Sequence, residues 1–193
     1  MLIMPEEIKR VLTEIAQAFE SASPAWLLGG SCALWLQGVD IASAPKDIDL
    51  FVDEPDAPIF HQLLTKWSVD KPMLDEDHAY RSLRSHYLHT GIEIELVGGF
   101  HIYPDHSSYQ VEIGMLDQHR CDVWLHGIQI PVMPLSHELL FNIMRQRADR
   151  YEAIAAVMSR DWQYHLPLLN SIIAQNHIDA AHIRVLQQLI KQS

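Results

Sequence analysis

Two stretches carry residue types that could do chemistry: LLGGSCALWLQG at 27–38 and, after a short loop, DIDLFVD at 47–53. In a strand, residues two apart point to one face, so Asp47 and Asp49 project together while Ile48, Leu50 and Val52 turn toward a core. Two carboxylates on one face can share a hard divalent cation such as Mg²⁺, which takes oxygen ligands and bridges to phosphates. Gly29 and Gly30 let a backbone approach a phosphate closely. A helix opening near Ser31 offers unpaired N–H groups and the positive end of its dipole to the same anion, and the Ser31 hydroxyl adds a further contact. Either motif alone is ordinary, a flexible turn or a solvated strand edge. Their order, strand, Gly-Gly-Ser, helix, loop, Asp-Ile-Asp strand, is what makes them specific.

Such residues need elements to hold them. Residues 5–20 read as a helix with Pro5 at its first position and Ile8, Val11, Leu12, Ile15, Ala16 and Phe19 at helical spacing. Residues 25–28 read as a short buried strand, Ser31 to about Gln37 as a short helix stopped by Gly38, and residues 46–52 as a half-buried strand. A helix is expected from Pro58 to Trp67, an acidic loop over 70–78, and strands at IEIELV (ended by GGF at 98–100), YQVEI, CDVWL and IQIPVM. His126-Gly127 between the last two suits a hairpin turn. After Pro134 the pattern becomes helical: SHELLFNIMRQR, YEAIAAVM, WQYHLPLLNSIIAQ and IDAAHIRVLQQLIK, with Asp179 as a cap. This divides the chain into an α/β part at 1–133 and a helical segment at 134–193.

The bulk composition fits one folded unit or a domain with a small appendage. Its 25 acidic and 14 basic residues give a net charge of −11, which makes long nucleic acid and anionic membrane poor partners. Cys32 and Cys121 have no paired spacing and suit a reducing compartment. The opening MLIMPEEIKR lacks the basic start and apolar run of a leader, and no stretch approaches a membrane span, so a cytoplasmic protein is expected. The 12 histidines form no recognisable ligand set and read as ordinary surface or hydrogen-bonded residues. Trp26, Trp35 and Trp67 read as core. RSLRSHY at 81–87 is either the lining of a pocket, with Tyr87 able to stack on a base, or an exposed strand.

Residues 26–53 resemble the signature of the DNA polymerase beta-type nucleotidyltransferase superfamily, in its small bacterial and archaeal branch that includes aminoglycoside and lincosamide nucleotidyltransferases and toxin–antitoxin relatives. The resemblance implies an α+β nucleotidyltransferase fold, a mixed β-sheet flanked by helices with the C-terminal helical segment appended. It also implies a third carboxylate on a later strand. Glu95, followed by Leu96, Val97 and Gly98, fits the register best, with Glu93 the alternative. The implied activity is transfer of a nucleoside monophosphate from a nucleoside triphosphate, ATP first among them, to a hydroxyl of a small-molecule or protein acceptor. Asp47, Asp49 and Glu95 would be both catalytic residues and ligands to Mg²⁺ (Mn²⁺ as substitute), with Glu95 placed to act as base. Gly29, Gly30, Ser31, Lys46, Arg147 and Arg150 would be the nucleotide-binding residues, although relatives often carry a lysine where this chain has Asn142 or Met144. That departure keeps a second reading open: a toxin–antitoxin component or regulatory binding protein on the same fold with reduced or no catalysis. The C-terminal helices have enough apolar surface to cover the sheet or to form a homodimer contact.

Overall fold

A computed structural model describes residues 4–191; the first three residues of the opening stretch read above for a leader, and the last two of the helical segment, lie outside the described residues. The elements in chain order are α1 (Glu6–Phe19), β1 (Leu27–Gly29), α2 (Gly30–Leu36), β2 (Asp47–Val52), α3 (Ala57–Leu64), β3 (Met73–Glu76), β4 (Tyr80–His89), β5 (Ile92–Ile102), β6 (Tyr109–Gln110), α4 (Ile113–Leu116), β7 (Cys121–Leu125), β8 (Ile128–Val132), α5 (Leu135–Met144), α6 (Ala148–Met158), α7 (Trp162–Gln175) and α8 (Ala180–Lys191). One mixed sheet runs in the order β3-β4-β5-β2-β1-β8-β7, with β6 on β5. The β2–β5 and β1–β8 pairs are parallel and the rest antiparallel. This is the expected mixed sheet flanked by helices.

Helices cover both faces, as an open sheet with two apolar faces requires. On one side α1 and α3 pack Ile8, Leu12, Ile15 and Phe60 onto Leu28, Ile48, Leu50, Ile94 and Leu96. On the other, α5–α8 bring Leu139, Leu140, Ile154, Leu169 and Leu186 together with Val97, Phe100 and Ile102 of β5. The helical segment therefore shares a core with the sheet. Trp26 is buried in the first cluster, Trp35 and Trp67 pack on it partly buried, and the Trp67 ring stacks on His89 at 4.1 Å.

Three local expectations are corrected. The acidic stretch at 70–78 is not all loop: Met73–Glu76 forms β3, which pairs with β4 along one side only. Such an edge strand tolerates charged residues because its outer side faces water. The strand beginning at Ile92 does not end at Gly98-Gly99 but runs on to Ile102, and the glycines lie where it passes Ala57 and Glu54. At Gly98 a Cβ would sit 2.9 Å from the Ala57 Cβ, so close approach rather than termination explains the residue. YQVEI pairs over Tyr109–Gln110 only, and Ile113 opens α4 instead.

All ten residues of α5 are buried, so its polar members must find partners inside the protein. His137 shares a 2.6 Å hydrogen bond with the Tyr109 hydroxyl and stacks on Phe141. Burial pulls the His137 pKa down to about 3 and pushes the Tyr109 phenol up. A histidine depressed in the folded state contributes stability that is complete above its unfolded value of about 6.5 and is lost as pH falls toward 3. At pH 4.5 this amounts to about 3 kcal/mol, at 1.36 kcal/mol per pH unit. Urea denaturation at pH 7 and 4.5 is expected to show that difference shrinking by most of this amount in His137→Gln; an equal loss in both proteins would refute the assignment.

Candidate functional site

The register of β2 on β5 builds the acidic face. Asp47 lies opposite Glu93 and Asp49 opposite Glu95, with Ile48, Leu50, Ile94 and Leu96 alternating into the α1–α3 core. On the other edge of β2, Gly29 of β1 pairs with Asp49. The chain then turns at Gly30, whose φ of +62° lies in the left-handed region. A Cβ at Gly30 would fall 1.9 Å from Asp49 Oδ2, so the turn rests directly against that carboxylate. Gly29 has a different role. A Cβ there would fall 2.4 Å from the Phe51 ring, which is the contact that requires glycine.

The helical segment reaches this turn twice. Glu138 of α5, 3% exposed, accepts the Gly30 N–H at 3.1 Å through Oε1. Asn142, one helical turn on, donates its Nδ2 to the Glu138 carbonyl at 2.8 Å and to Oε2 at 3.3 Å. Arg150 Nη2 donates to Ser31 Oγ at 3.0 Å. Arg147 is bound to Asp149 at 2.9 and 3.1 Å, and the Arg145 guanidinium lies 5.1 Å from the Phe141 ring centre. Gly30, Ser31, Glu138, Asn142, Arg145, Arg147 and Arg150 bound a cleft of about 530 Å³ whose other wall is Phe51, Tyr80, Val97 and Phe100.

The electrostatics follow from the crowding. Burial, then the charges of Asp47 and Glu95, push Asp49 up to about 7 against the pull of Arg150 and Arg145. Burial likewise pushes Glu138 up to about 7, opposed first by the Gly30 hydrogen bond. Glu95 is held from β4: Arg84 Nη1 lies 3.3 Å and His86 Nε2 3.5 Å from its Oε1. Arg84 also pairs with Asp75 of β3 at 3.2 Å, and His86 with Asp70 at 2.6 Å. Among the described residues no group of three or more histidine, cysteine or acidic side chains is arranged to hold a metal ion by itself.

No family model matches the chain, and no curated protein sequence does. Solved structures do. A Thermotoga maritima protein provisionally named a nucleotidyltransferase superposes with a TM-score of 0.65 at 22% identity, covering 83% of this chain and 95% of that one. The chain has the nucleotidyltransferase fold. The antibiotic-resistance factor ANT(2'')-Ia in solution shares it at a TM-score of 0.56 and 11% identity, over 89% of this chain and 94% of that. The crystal structure of ANT(2'')-Ia with adenylyl-2''-tobramycin gives 0.52 and 10%, over 88% and 98%.

Within this nucleotidyltransferase fold, Gly30, Ser31, Asp47, Asp49, Glu95, Arg147 and Arg150 all line the one cleft. Gly29 is packed under Phe51, and the exposed Lys46 is not part of the cleft wall. The Gly30 N–H is already donated to Glu138 rather than left open to an anion. Glu93 faces a second hollow, of about 490 Å³, lined also by Asp47, Asp49, Glu95, His86, Val69 and Leu88. Tyr87 is buried and bonded to His61 and Ser85 at 2.8 Å, so it cannot stack on a base. Sequence reasoning missed Glu138, and it reached Arg84 only as part of the basic stretch 81–87 read as either a pocket lining or an exposed strand; Arg84 lines the cleft. A glutamate on an otherwise apolar helix face, as in SHELLF, is the one local signal that could have drawn attention to Glu138.

Proposed function

We propose that this protein is a divalent-metal-dependent nucleotidyltransferase. It moves a nucleoside monophosphate, AMP first among the candidates, from a nucleoside triphosphate to a hydroxyl of a small-molecule or protein acceptor. The observation that supports this best is that Asp47, Asp49 and Glu95 line two hollows at once. The arginine-bearing cleft suits the triphosphate, and the second hollow, which shares these carboxylates, leaves room for an acceptor. The complex of ANT(2'')-Ia with adenylyl-2''-tobramycin, on the same fold, favours an adenylyl group and a small acceptor.

The carboxylates suit Mg²⁺ by donor chemistry: hard oxygen donors whose mutual repulsion a cation would relieve. Because no three of these side chains converge on one ion position among the described residues, substrate phosphates would have to supply part of the ion's shell. When bound, the metal supplies charge neutralisation on the reacting phosphate. Arg150 and Arg145 draw the triphosphate toward the turn, and Arg150 fixes the Ser31 hydroxyl beside it. The acceptor oxygen bonds to the α-phosphorus, the bond to the bridging oxygen breaks, and pyrophosphate leaves with that electron pair. Glu95, common to both hollows, is the group proposed to take the hydroxyl proton.

A thermal-shift titration of ATP, GTP, CTP and UTP with and without Mg²⁺ tests the reading. Ligand at about 100 times its dissociation constant stabilises by about 2.7 kcal/mol, which for this chain length is a rise of roughly 5–10 °C. The expected result is a Mg²⁺-dependent rise, largest with ATP and absent from Asp47→Ala/Asp49→Ala. No rise with any nucleotide would overturn the proposal in favour of a binding protein on the same fold.

A further inference from the structure

We propose that Glu138 is a positioning residue for the nucleotide: anchored in α5, it holds the Gly30 turn in the conformation that presents Ser31 and Asp49 to the triphosphate. The inference rests on the function proposed above and assigns part of it to a residue outside the metal-binding face.

A carboxylate is a costly occupant of this position. Its neighbours along α5 are Leu139, Leu140 and Phe141, all buried, and an apolar side chain of similar volume would pack there without a polar group to desolvate. What an apolar residue could not do is accept the Gly30 N–H. That donor begins α2, where the first N–H groups have no partner within the helix. Glu138 supplies one from 108 positions away. The carboxylate is itself held by the side chain one turn along: Asn142 gives its Nδ2 to both the Glu138 backbone and its Oε2. Asn142 does so while its own Oδ1 stays buried with no protein partner. Two buried polar side chains are thus arranged around one backbone N–H. On the turn they hold, the Gly30 Cα stands where a single added carbon would overlap Asp49. Arg150 fixes the next residue, Ser31, through its hydroxyl. The position of the turn relative to Asp49 is set from the helical segment, not by the turn alone.

The test compares wild type with Glu138→Leu, Glu138→Gln and Asn142→Ala, measuring melting temperature and the binding of Mn²⁺–ATP by the loss of the free Mn²⁺ electron-spin signal. Glu138→Leu is expected to melt within a few degrees of wild type, since relief from burying a carboxylate is offset by the Gly30 N–H it leaves without an acceptor, and to bind Mn²⁺–ATP at least tenfold more weakly. Glu138→Gln, which keeps an acceptor for the Gly30 N–H, is expected within threefold of wild type. Asn142→Ala, with the carboxylate present but unanchored, is expected between the two, and it carries the test if Glu138→Leu does not fold. A folded Glu138→Leu that binds as wild type does, or a Glu138→Gln as weak as Glu138→Leu, overturns the role of Glu138 alone. Wild-type protein that binds no Mn²⁺–ATP overturns the nucleotide reading and this inference with it.

Discussion

Asp49→Asn is expected to lower nucleotidyl transfer by about 1,000-fold or more while leaving the metal-free protein more stable than wild type. Asp49 is half-buried, beside Asp47 and Glu95 and directly under the Gly30 turn. A neutral amide is a poor ligand for a hard dication, and losing several kcal/mol of charge stabilisation at the reacting phosphate corresponds to at least three powers of ten in rate. The same substitution removes a charge that burial first, and then its acidic neighbours, disfavour. Relief of that penalty is expected to add about 1 kcal/mol, or roughly 2–4 °C in melting temperature for a chain of this size. Pyrophosphate release with ATP, Mg²⁺ and a responsive acceptor measures the first effect, and differential scanning fluorimetry in a chelator the second. A variant that keeps more than a tenth of wild-type transfer would remove Asp49 from the mechanism. One that is inactive because it melts far lower would make it a structural residue instead.

Gly30→Ala is the second large effect. The backbone there has φ +62°, and a non-glycine residue in the left-handed region costs about 1–3 kcal/mol. The added methyl would also fall on Asp49 Oδ2, so either the turn or the carboxylate must move. A displacement near 1 Å at reacting groups costs about 100-fold in rate, and that is the expected loss of transfer. Gly38 provides the control. It too has positive φ, +76°, but a Cβ there meets nothing within 4 Å. Gly38→Ala should therefore pay the backbone cost in melting temperature and keep its transfer rate. Equal activity in the two variants would show that crowding at Asp49 does not matter.

The sequence was legible where the relevant contacts are local. The alternation of DIDLFV and of IEIEL marks which side chains share a face, and the sheet register then places Asp49 beside Glu95 without further information. Gly30 and the helix after it belong to one turn of chain, and they form as their residue types dictate. What escaped depends on distant partners. No periodicity in α5 says that Glu138 meets Gly30, because that contact exists only once the helical segment has packed on the sheet. Arg84 reads as one cation in a basic stretch until β4 sets it beside Glu95 on one side and Asp75 on the other. Tyr87 looks available in the sequence and is buried, because the β4 register turns it toward His61. Met73–Glu76 escaped for the opposite reason: acidic composition argues against a strand, and pairing with β4 outweighs it.

That last strand has a bearing on how copies of the protein coexist at high concentration. β3 ends the sheet, its outer row of N–H and C=O groups is a template for another strand, and Met73 and Leu74 are exposed on it. Pro72 precedes it, while Asp75, Glu76 and Asp77 close it. A second copy approaching edge to edge would set these acids against their own kind, on molecules that already repel at a net charge of −11. The acidic run is thus a guard against self-templating, keeping an open sheet margin from seeding aggregates.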